Sequence, residues 1–307
     1  MKRIALIILA VVGVNALLVA QQDPMNTLFV QNPSLVNPAY AGAKGVLSVA
    51  AGTRLQWTGV DGAPQTSQLN FSTPLKGDAI AIGLNVANDQ IGPVKQNGIF
   101  ADVAYSLPVG VGSEFRVGLR AGFSTFSANL NSLALDQSGD FGFSQNISGE
   151  LMPNVGFGVY FSNEKFFAGV SVPTLLKNEI KGVETVTARS FGKEMHTFGM
   201  VGANLDLNNN VVIKPAITAR FVPGAPVSAD VQVMGEFYEK FGLGAMYRIS
   251  DAFALMANFM LSEQFKLGYA YDLTTSDFAA YNNGSHEVML SYDFLYKRSR
   301  VNSPRYF

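Results

Sequence analysis

The sequence predicts an all-β protein, a transmembrane antiparallel β-barrel of about fourteen strands with an irregular hatch segment at its N-terminal end. Hydrophobic residues make up 48% of the chain and charged residues only 15%, well below the roughly 25% charge of soluble domains. After the first twenty residues no uninterrupted apolar run reaches about 18 residues, the length of a membrane-spanning helix. The apolar residues instead alternate with small or polar ones, which indicates strands with two unlike faces.

The first element is a predicted secretory signal peptide at residues 1–20. It begins with Lys2 and Arg3, continues as an apolar core and ends in a small residue, so we expect cleavage near Ala20. The alternative is an uncleaved anchor helix, but no basic stop-transfer flank follows. Loss of Lys2 and Arg3 changes the formal net charge from −1 to −3, and neither value favours a nucleic-acid partner. The chain contains no cysteine, which excludes disulfides, thiolate metal sites and lipid attachment through an N-terminal Cys.

The second element, residues 21–44, is predicted to be a non-strand hatch or leader. It contains the pairs Asn32-Pro33 and Asn37-Pro38, and proline both lacks an N–H and restricts the residue before it. Two readings are open at this stage. The segment is either a floppy exported leader or a hatch folded into the barrel mouth, with Leu35 and Tyr40 as anchors.

The remaining residues, 45–307, are predicted to form the barrel and a short basic C-terminal tail. In the first strand Leu47, Val49 and Ala51 alternate with Ser48, Ala50 and Gly52. A soluble β-sandwich also alternates, but it turns Lys and Glu to bulk water. Here the less apolar face consists mainly of Gly, Ala, Ser, Asn and Gln, which suits the inside of a closed cylinder.

Connection lengths support the same fold. Every second connection is short, as at 109–112, 162–165 and 207–210, whereas the other set includes the long segments 127–152, 173–194 and 273–284. Outer-membrane barrels have short periplasmic turns and longer outer loops. We therefore expect both chain termini on the side of the short turns.

Charged residues at inward positions carry both signs in comparable numbers. A selective ion pore would favour one sign, so we expect these residues to pair across the lumen. The predicted lumen charge network comprises Arg116, Arg120, Arg220, Arg248, Asp102, Asp272 and Asp293.

Several short motifs resemble the PorP/SprF family. They are NPAYAG at 37–42, RLQWTG at 54–59, GAP at 62–64, GYAYD at 268–272, GSHEVML at 284–290 and the closing SPRYF. The resemblance implies an outer-membrane component of the type IX secretion system, connected with protein export, cell-surface adhesins and gliding motility. The hatch and family-motif residues are Asn32, Pro33, Asn37, Pro38, Tyr40, Gly42, Arg54, Gln56, Trp57, Gly62 and Pro64.

Residue patterns for catalysis are scarce. The chain has two histidines, no phosphate-binding loop and no metal-ligand spacing. His286 and Glu287 are adjacent on a predicted strand and therefore point to opposite faces. We expect no enzymatic activity, no cofactor and no metal.

Two functions are compatible with the sequence. In the first, implied by the resemblance, the barrel lies in outer-membrane lipid and docks a secreted cell-surface protein or its C-terminal signal domain, while periplasmic type IX components bind it from below. In the second, the barrel is a channel for small hydrophobic solutes, because fatty-acid channels also carry an Asn-Pro-Ala element in a luminal hatch.

Overall fold

The computed structural model describes residues 25–75, 78–132, 146–178 and 195–295. These residues include one antiparallel sheet in which, with one exception, each strand pairs with the next along the chain. The strands are β1 (Leu47–Leu55), β2 (Gln65–Pro74), β3 (Ile80–Ile91), β4 (Val94–Gly110), β5 (Ser113–Ala128), β6 (Ile147–Ser162), β7 (Phe166–Thr174), β8 (His196–Ala203), β9 (Leu205–Asn208), β10 (Val211–Phe221), β11 (Ser228–Phe237), β12 (Phe241–Arg248), β13 (Ala252–Met260), β14 (Phe265–Thr274) and β15 (Ser285–Phe294).

The sheet closes on itself because β1 pairs with β15 as well as with β2. The closing register places Leu47 opposite Phe294 and Leu55 opposite His286. Strands β8 and β9 both pair with β10 and follow one another around Asn204, so they form one wall position. The fold is therefore a closed antiparallel barrel of fourteen strands, as the sequence predicted. None of the helices in the described residues is long and apolar enough to cross a membrane.

Burial in the barrel is the reverse of that in a soluble protein. Along β3 the large apolar side chains Ile80, Ile82 and Leu84 are exposed, whereas Ala81 and Asn85 on the opposite face are buried. An apolar outer face with a polar lumen is the arrangement that lipid requires of a spanning barrel, because the closed sheet leaves no unpaired backbone at its edges.

Connections on one side of the barrel are all short, and we call this the turn side. They comprise residues 75–79, 111–112, 163–165, 209–210, 238–240 and 261–264. The opposite, loop side carries the longer connections 56–64, 129–146, 175–195 and 275–284, and three short ones at 92–93, 222–227 and 249–251. The short β3–β4 connection at 92–93 was not anticipated from the sequence, although the alternation of the two sides was.

The segment from Met25 to Gly45 precedes β1 and lies mostly inside the barrel, with Lys44 and Gly45 exposed at its end; we call it the plug. It contains three short 3-10 helices, η1 (Phe29–Gln31), η2 (Pro33–Leu35) and η3 (Pro38–Tyr40). Proline occupies the first position of both η2 and η3, where its missing N–H has no helical partner in any case. Asn32-Pro33 therefore ends η1 and starts η2, Asn37-Pro38 starts η3, and the segment forms no longer helix.

The plug runs from the loop side towards the turn side. Its first described residue, Met25, lies near Arg220 and Ser228, at the loop-side ends of β10 and β11. Its last residues lead into β1 at the turn side, where Lys44 binds Asp293 at 2.9 Å. The prediction for the N-terminus itself, the signal peptide at 1–20 and the basic tail at 297–307 all fall outside the described residues.

Candidate functional site in the plugged lumen

One wall of the lumen holds the plug through two arginines of β5. Arg120 donates to the backbone carbonyl of Ser34 at 2.7 Å and to that of Leu35 at 3.0 Å. Arg116 donates to the carbonyls of Ala39 at 3.1 Å and Ala41 at 2.7 Å. These carbonyls lie at the ends of η2 and η3, where short helices leave acceptors without partners. We call this surface, formed by Arg116 and Arg120 with the adjacent glycines, the arginine wall.

Arg120 is itself fixed by a buried polar chain across β2–β5. Its guanidinium binds both oxygens of Asp102, at 2.7 and 2.8 Å. Asn85 donates to Asp102, and Asn70 donates to Asn85, each at 2.7 Å. A bidentate pair with its remaining acceptors satisfied compensates for the loss of water around both charges.

Glycines let the plug backbone approach the arginine wall closely. A Cβ atom on Gly118 would lie 2.2 Å from the backbone nitrogen of Ala39, and one on Gly158 would lie 2.2 Å from the Asn37 side-chain oxygen. Neither space can hold a methyl group. The Asn37 side chain, wholly buried, accepts from the N–H of Ala39 and donates to the carbonyl of Val159. Asn37 therefore both caps η3 and ties it to β6.

The opposite wall holds the start of the plug through carboxylates. Glu287 of β15 accepts from the backbone N–H of Thr27 at 2.6 Å and from that of Leu28 at 3.2 Å. The Thr27 hydroxyl donates to Asp272 of β14 at 2.8 Å. Arg54 of β1 binds both carboxylates, at 2.6 Å to Asp272 and 3.1 Å to Glu287. We call this surface, formed by Asp272, Glu287 and Arg54, the acidic wall.

A second cation extends the acidic wall around the barrel. Arg248 of β12 is 1% exposed and lies 2.9 Å from Asp230 and 3.6 Å from Asp272. Arg220 faces the same loop-side part of the lumen and is also buried. The ion pairs of these described residues join neighbouring or next-but-one strands and do not cross the lumen, as with Arg120 and Asp102 on β5 and β4 and Arg248 and Asp230 on β12 and β11.

Apolar contacts fill the space between the two walls. Leu28 packs into a layer of lumen-facing methionines and alanines that includes Met234, Met246, Met256 and Met289. Phe29 makes an edge-to-face contact with Phe198, with ring centroids 6.0 Å apart. Methionine adapts to irregular gaps because its side chain is unbranched and flexible.

Tyr40 and Gly42 fix the turn-side end of the plug. The Tyr40 ring meets Tyr160 of β6 edge to face at 5.2 Å. Burial, together with the nearby charge of Asp293, raises the pKa of Tyr40 to about 12, so its phenol stays protonated. Gly42 has φ of +68°, and a Cβ there would lie 2.4 Å from that of Ala81. Only glycine fits this turn without strain.

The family-motif residues separate into two groups. Asn32, Pro33, Asn37, Pro38, Tyr40 and Gly42 belong to the plug, and Arg54 meets it from the acidic wall. Gln56, Trp57, Gly62 and Pro64 lie instead in the loop-side connection 56–64. There the N–H of Thr58 donates to Gly284 in the next loop, and Trp57 contacts Phe278 with ring centroids 4.9 Å apart. This second group joins neighbouring loops and does not contact the plug through any bond described above.

Three residues that matter to the plug were missing from the predicted site. Thr27 lies in the plug, and Gly118 and Glu287 contact or admit it; the alternation of its strand places Glu287 inward, but no motif marks any of the three. Gly118 carries a weak signal, since it is an inward position between Arg116 and Arg120. His286 and Glu287 face opposite ways, with His286 bonded to the Tyr269 hydroxyl at 2.8 Å. No metal-binding cluster of His, Asp or Glu occurs in the part of the chain that the structure describes.

Comparison with known proteins identifies one family model, described as type IX secretion system membrane protein PorP/SprF, which matches residues 18–292. No curated protein matches the chain. Similar solved structures include the Acinetobacter baumannii outer membrane protein Omp33, with 9% identity, a TM-score of 0.47 and coverage of 81% of this chain and 98% of Omp33. The CymD monoaromatic hydrocarbon channel shows 10% identity, a TM-score of 0.49 and coverage of 89% and 94%.

Proposed function

Because the chain belongs to the PorP/SprF family of type IX secretion system membrane proteins, we propose that this outer-membrane barrel is a docking and anchoring component. It holds a secreted cell-surface protein, or that protein's C-terminal signal domain, and periplasmic components of the secretion machinery contact its turn side. It takes part in no catalytic step. The signal peptide is removed near Ala20 before the barrel assembles.

The observation that carries this proposal is that charged groups bind the plug from both sides of the lumen. Arg120 binds plug carbonyls from β5, while Glu287 accepts plug N–H groups from β15. A hydrogen bond to a charged group contributes about 1.5–3 kcal/mol, so breaking several of them to release the plug would be costly. A lumen filled in this way supports a scaffold better than an open pore.

The loop side supplies the docking surface in this proposal. The connections 56–64 and 275–284 are joined by backbone hydrogen bonds between Thr58, Asn283 and Gly284. Binding residues concentrate on loops held by a rigid scaffold. The long segments 133–145 and 179–194 lie outside the described residues.

Two measurements test the docking role. The purified barrel in a planar bilayer should show no steady conductance, whereas a variant lacking residues 25–44 should conduct. Deletion of the gene should leave one particular adhesin inside the cell or release it to the medium, with nutrient uptake unchanged. A steady open conductance from the intact barrel would contradict docking.

The second candidate is a channel for small hydrophobic solutes. A cavity of about 130 Å³ beside the plug, lined in part by Phe29 and Leu35, favours it. If the adhesin still reaches the surface and uptake of a hydrophobic compound fails in the deletion strain, the channel replaces the docking role.

A further inference from the structure

The outer face of β2–β5 changes from apolar to polar towards the loop side. Four apolar side chains lie in register across these strands, Leu69, Val86, Ile99 and Phe123. The last three of them are exposed. An exposed apolar row of this kind belongs to the band that meets lipid. On these four strands it is the last apolar row of the outer face before the loop side.

Two polar rows follow on the same face, and we call them the polar patch. The first row consists of Ser67, Asn88, Asn97 and Thr125. The second row consists of Gln65, Gln90, Lys95 and Ser127. All of these side chains are at least partly exposed. Because each row is in register, the patch is a continuous surface across four strands.

The polar patch is particular to this part of the barrel. On β10, β13 and β14 the outer face stays apolar to the loop-side end of the strand. Phe221, Phe253 and Leu273 occupy those ends and are exposed. The patch is therefore a local feature and not a general property of the loop-side rim.

The first polar row lies at the level of the lipid headgroups. Successive outward residues are about 7 Å apart along a strand, and strands of outer-membrane barrels tilt by about 35–45°. The first polar row is thus about 5 Å beyond the last apolar row along the membrane normal. Each headgroup region is about 5–7 Å thick, because a bilayer of about 40–45 Å has a hydrocarbon core of about 30 Å.

The composition of the polar patch suits neither hydrocarbon nor bulk water. A protein surface in water is about 25–35% charged, which predicts about two or three charges among eight side chains. Lys95 is the single charged residue of the patch, and the others are amides and hydroxyls. Amide side chains both donate and accept hydrogen bonds, as the hydroxyl groups of sugars do.

Hydrogen bonds within the first polar row leave further groups available to a ligand. Asn88 donates from its side-chain nitrogen to the Asn97 oxygen at 2.6 Å. The Ser67 hydroxyl lies 3.2 Å from that of Thr53, its outward neighbour on β1. The Asn88 oxygen and the Asn97 N–H groups take no part in these bonds. Together they offer an acceptor and donors side by side.

We propose that the polar patch binds the sugar headgroup of a glycolipid in the outer leaflet, while the acyl chains of that lipid lie along the apolar row. Outer leaflets of outer membranes are rich in glycolipid. The patch borders the lipid-facing band directly, so a ligand anchored in the membrane meets both surfaces at once. This inference takes the loop side as the outer side, as the docking proposal does, and otherwise goes beyond it.

The test compares two lipids that have the same acyl chains, digalactosyldiacylglycerol and phosphatidylglycerol. Each is titrated into the full-length barrel purified in a detergent without sugars, and native mass spectrometry measures the bound lipid. We expect the galactolipid to bind about tenfold more tightly, the size of one or two neutral hydrogen bonds.

Two double variants assign that preference to the polar patch. Asn88→Leu with Asn97→Leu removes the amides and should lower galactolipid affinity about tenfold, to that of phosphatidylglycerol. Asn88→Gln with Asn97→Gln is the matched control, since it keeps the amides and should keep the preference for the galactolipid. Resistance to heat during electrophoresis checks that both variants assemble.

Each outcome decides the proposal. Equal binding of the two lipids to the native protein overturns it without any variant, so the test stands even if the leucine variant does not assemble. A preference that survives in the leucine variant also overturns it. If the lipids bind equally and the leucine variant loses the surface adhesin, the patch contacts a protein instead. The conductance measurement is independent, so failure here leaves the docking role standing.

Discussion

The arginine wall and the acidic wall hold the same plug by opposite means. Arg116 and Arg120 on β5 donate to plug carbonyls, whereas Glu287 on β15 accepts from plug N–H groups. The arginine wall lies against η2 and η3, and the acidic wall meets Thr27 and Leu28, ahead of η1. The main chain has donors and acceptors that must both be satisfied when it is buried. A lumen with charges of both signs meets that need, and one with a single sign would not.

The plug also packs differently against its two sides. The arginine wall has glycines where the plug backbone touches it, and Gly118 admits Ala39. Near the acidic wall the plug instead meets the methionine layer, in which flexible side chains pack around Leu28. The first contact depends on backbone fit and should tolerate little change, while the second can adjust.

The largest expected effect follows from breaking the arginine wall at Arg120. Arg120→Ala removes the bonds to Ser34 and Leu35 and leaves Asp102 buried without its cation, at a cost of about 3–5 kcal/mol. Urea titration of the purified barrel should show that loss in the free energy of unfolding, and protease should cut the plug. Lys165→Ala, in an exposed turn, is the control. Equal behaviour of both variants would mean that Arg120 does not hold the plug.

The next effect tests which face of β5 meets lipid. Leu119, next to Arg120, is 63% exposed on the outer face. Leu119→Arg places an arginine in contact with lipid, whereas the neighbouring Arg120 lies in the lumen. The substitution should lower the stability of the barrel by about 2–4 kcal/mol if it lies near the bilayer midplane. Assembly of the barrel into vesicles should fall, as followed by resistance to heat during electrophoresis. Leu119→Met should assemble normally, and efficient assembly of Leu119→Arg would show that this face does not meet lipid.

A smaller effect is expected where the plug touches glycine. Gly118→Ala forces a Cβ into the Ala39 backbone, and overpacking of this kind costs about 1–3 kcal/mol. The measured result should be a less stable barrel and easier proteolysis within residues 25–44. Gly199→Ala is the matched control, since a Cβ at Gly199 would meet nothing within 4 Å. The contact is unimportant if the two variants melt alike.

The smallest effect is expected at the acidic wall. Thr27→Val removes the hydroxyl that donates to Asp272 and accepts from Arg54, yet Arg54 still binds Asp272 and the Thr27 backbone still binds Glu287. We expect a loss of about 1 kcal/mol in urea titration. Thr53→Val, on the outer face of β1, should change stability less. A loss as large as that of Arg120→Ala would make the two walls equally critical.

Part of the site was predictable because a residue's charge and the two-residue alternation of a strand are both visible in the local sequence. Arg120 and Asp102 could be placed in the lumen from the alternation of β4 and β5, and both lie there. Their pairing follows from strand register, which sets Asp102 opposite Arg120. The plug contacts could not be predicted in this way. Thr27 and Glu287 are 260 residues apart, and neither carries a local pattern that points to the other.

The sequence by itself determined the barrel, its fourteen strands and the two sides with short and long connections. A period of two assigns each residue to lumen or lipid without reference to distant contacts. Only the tertiary structure decided between a hatch and a loose leader, set the direction of the plug from loop side to turn side, and separated Trp57 and Gly62 from the plug residues. Those outcomes depend on which distant groups satisfy the plug's buried backbone, and that becomes fixed only when the barrel closes around it.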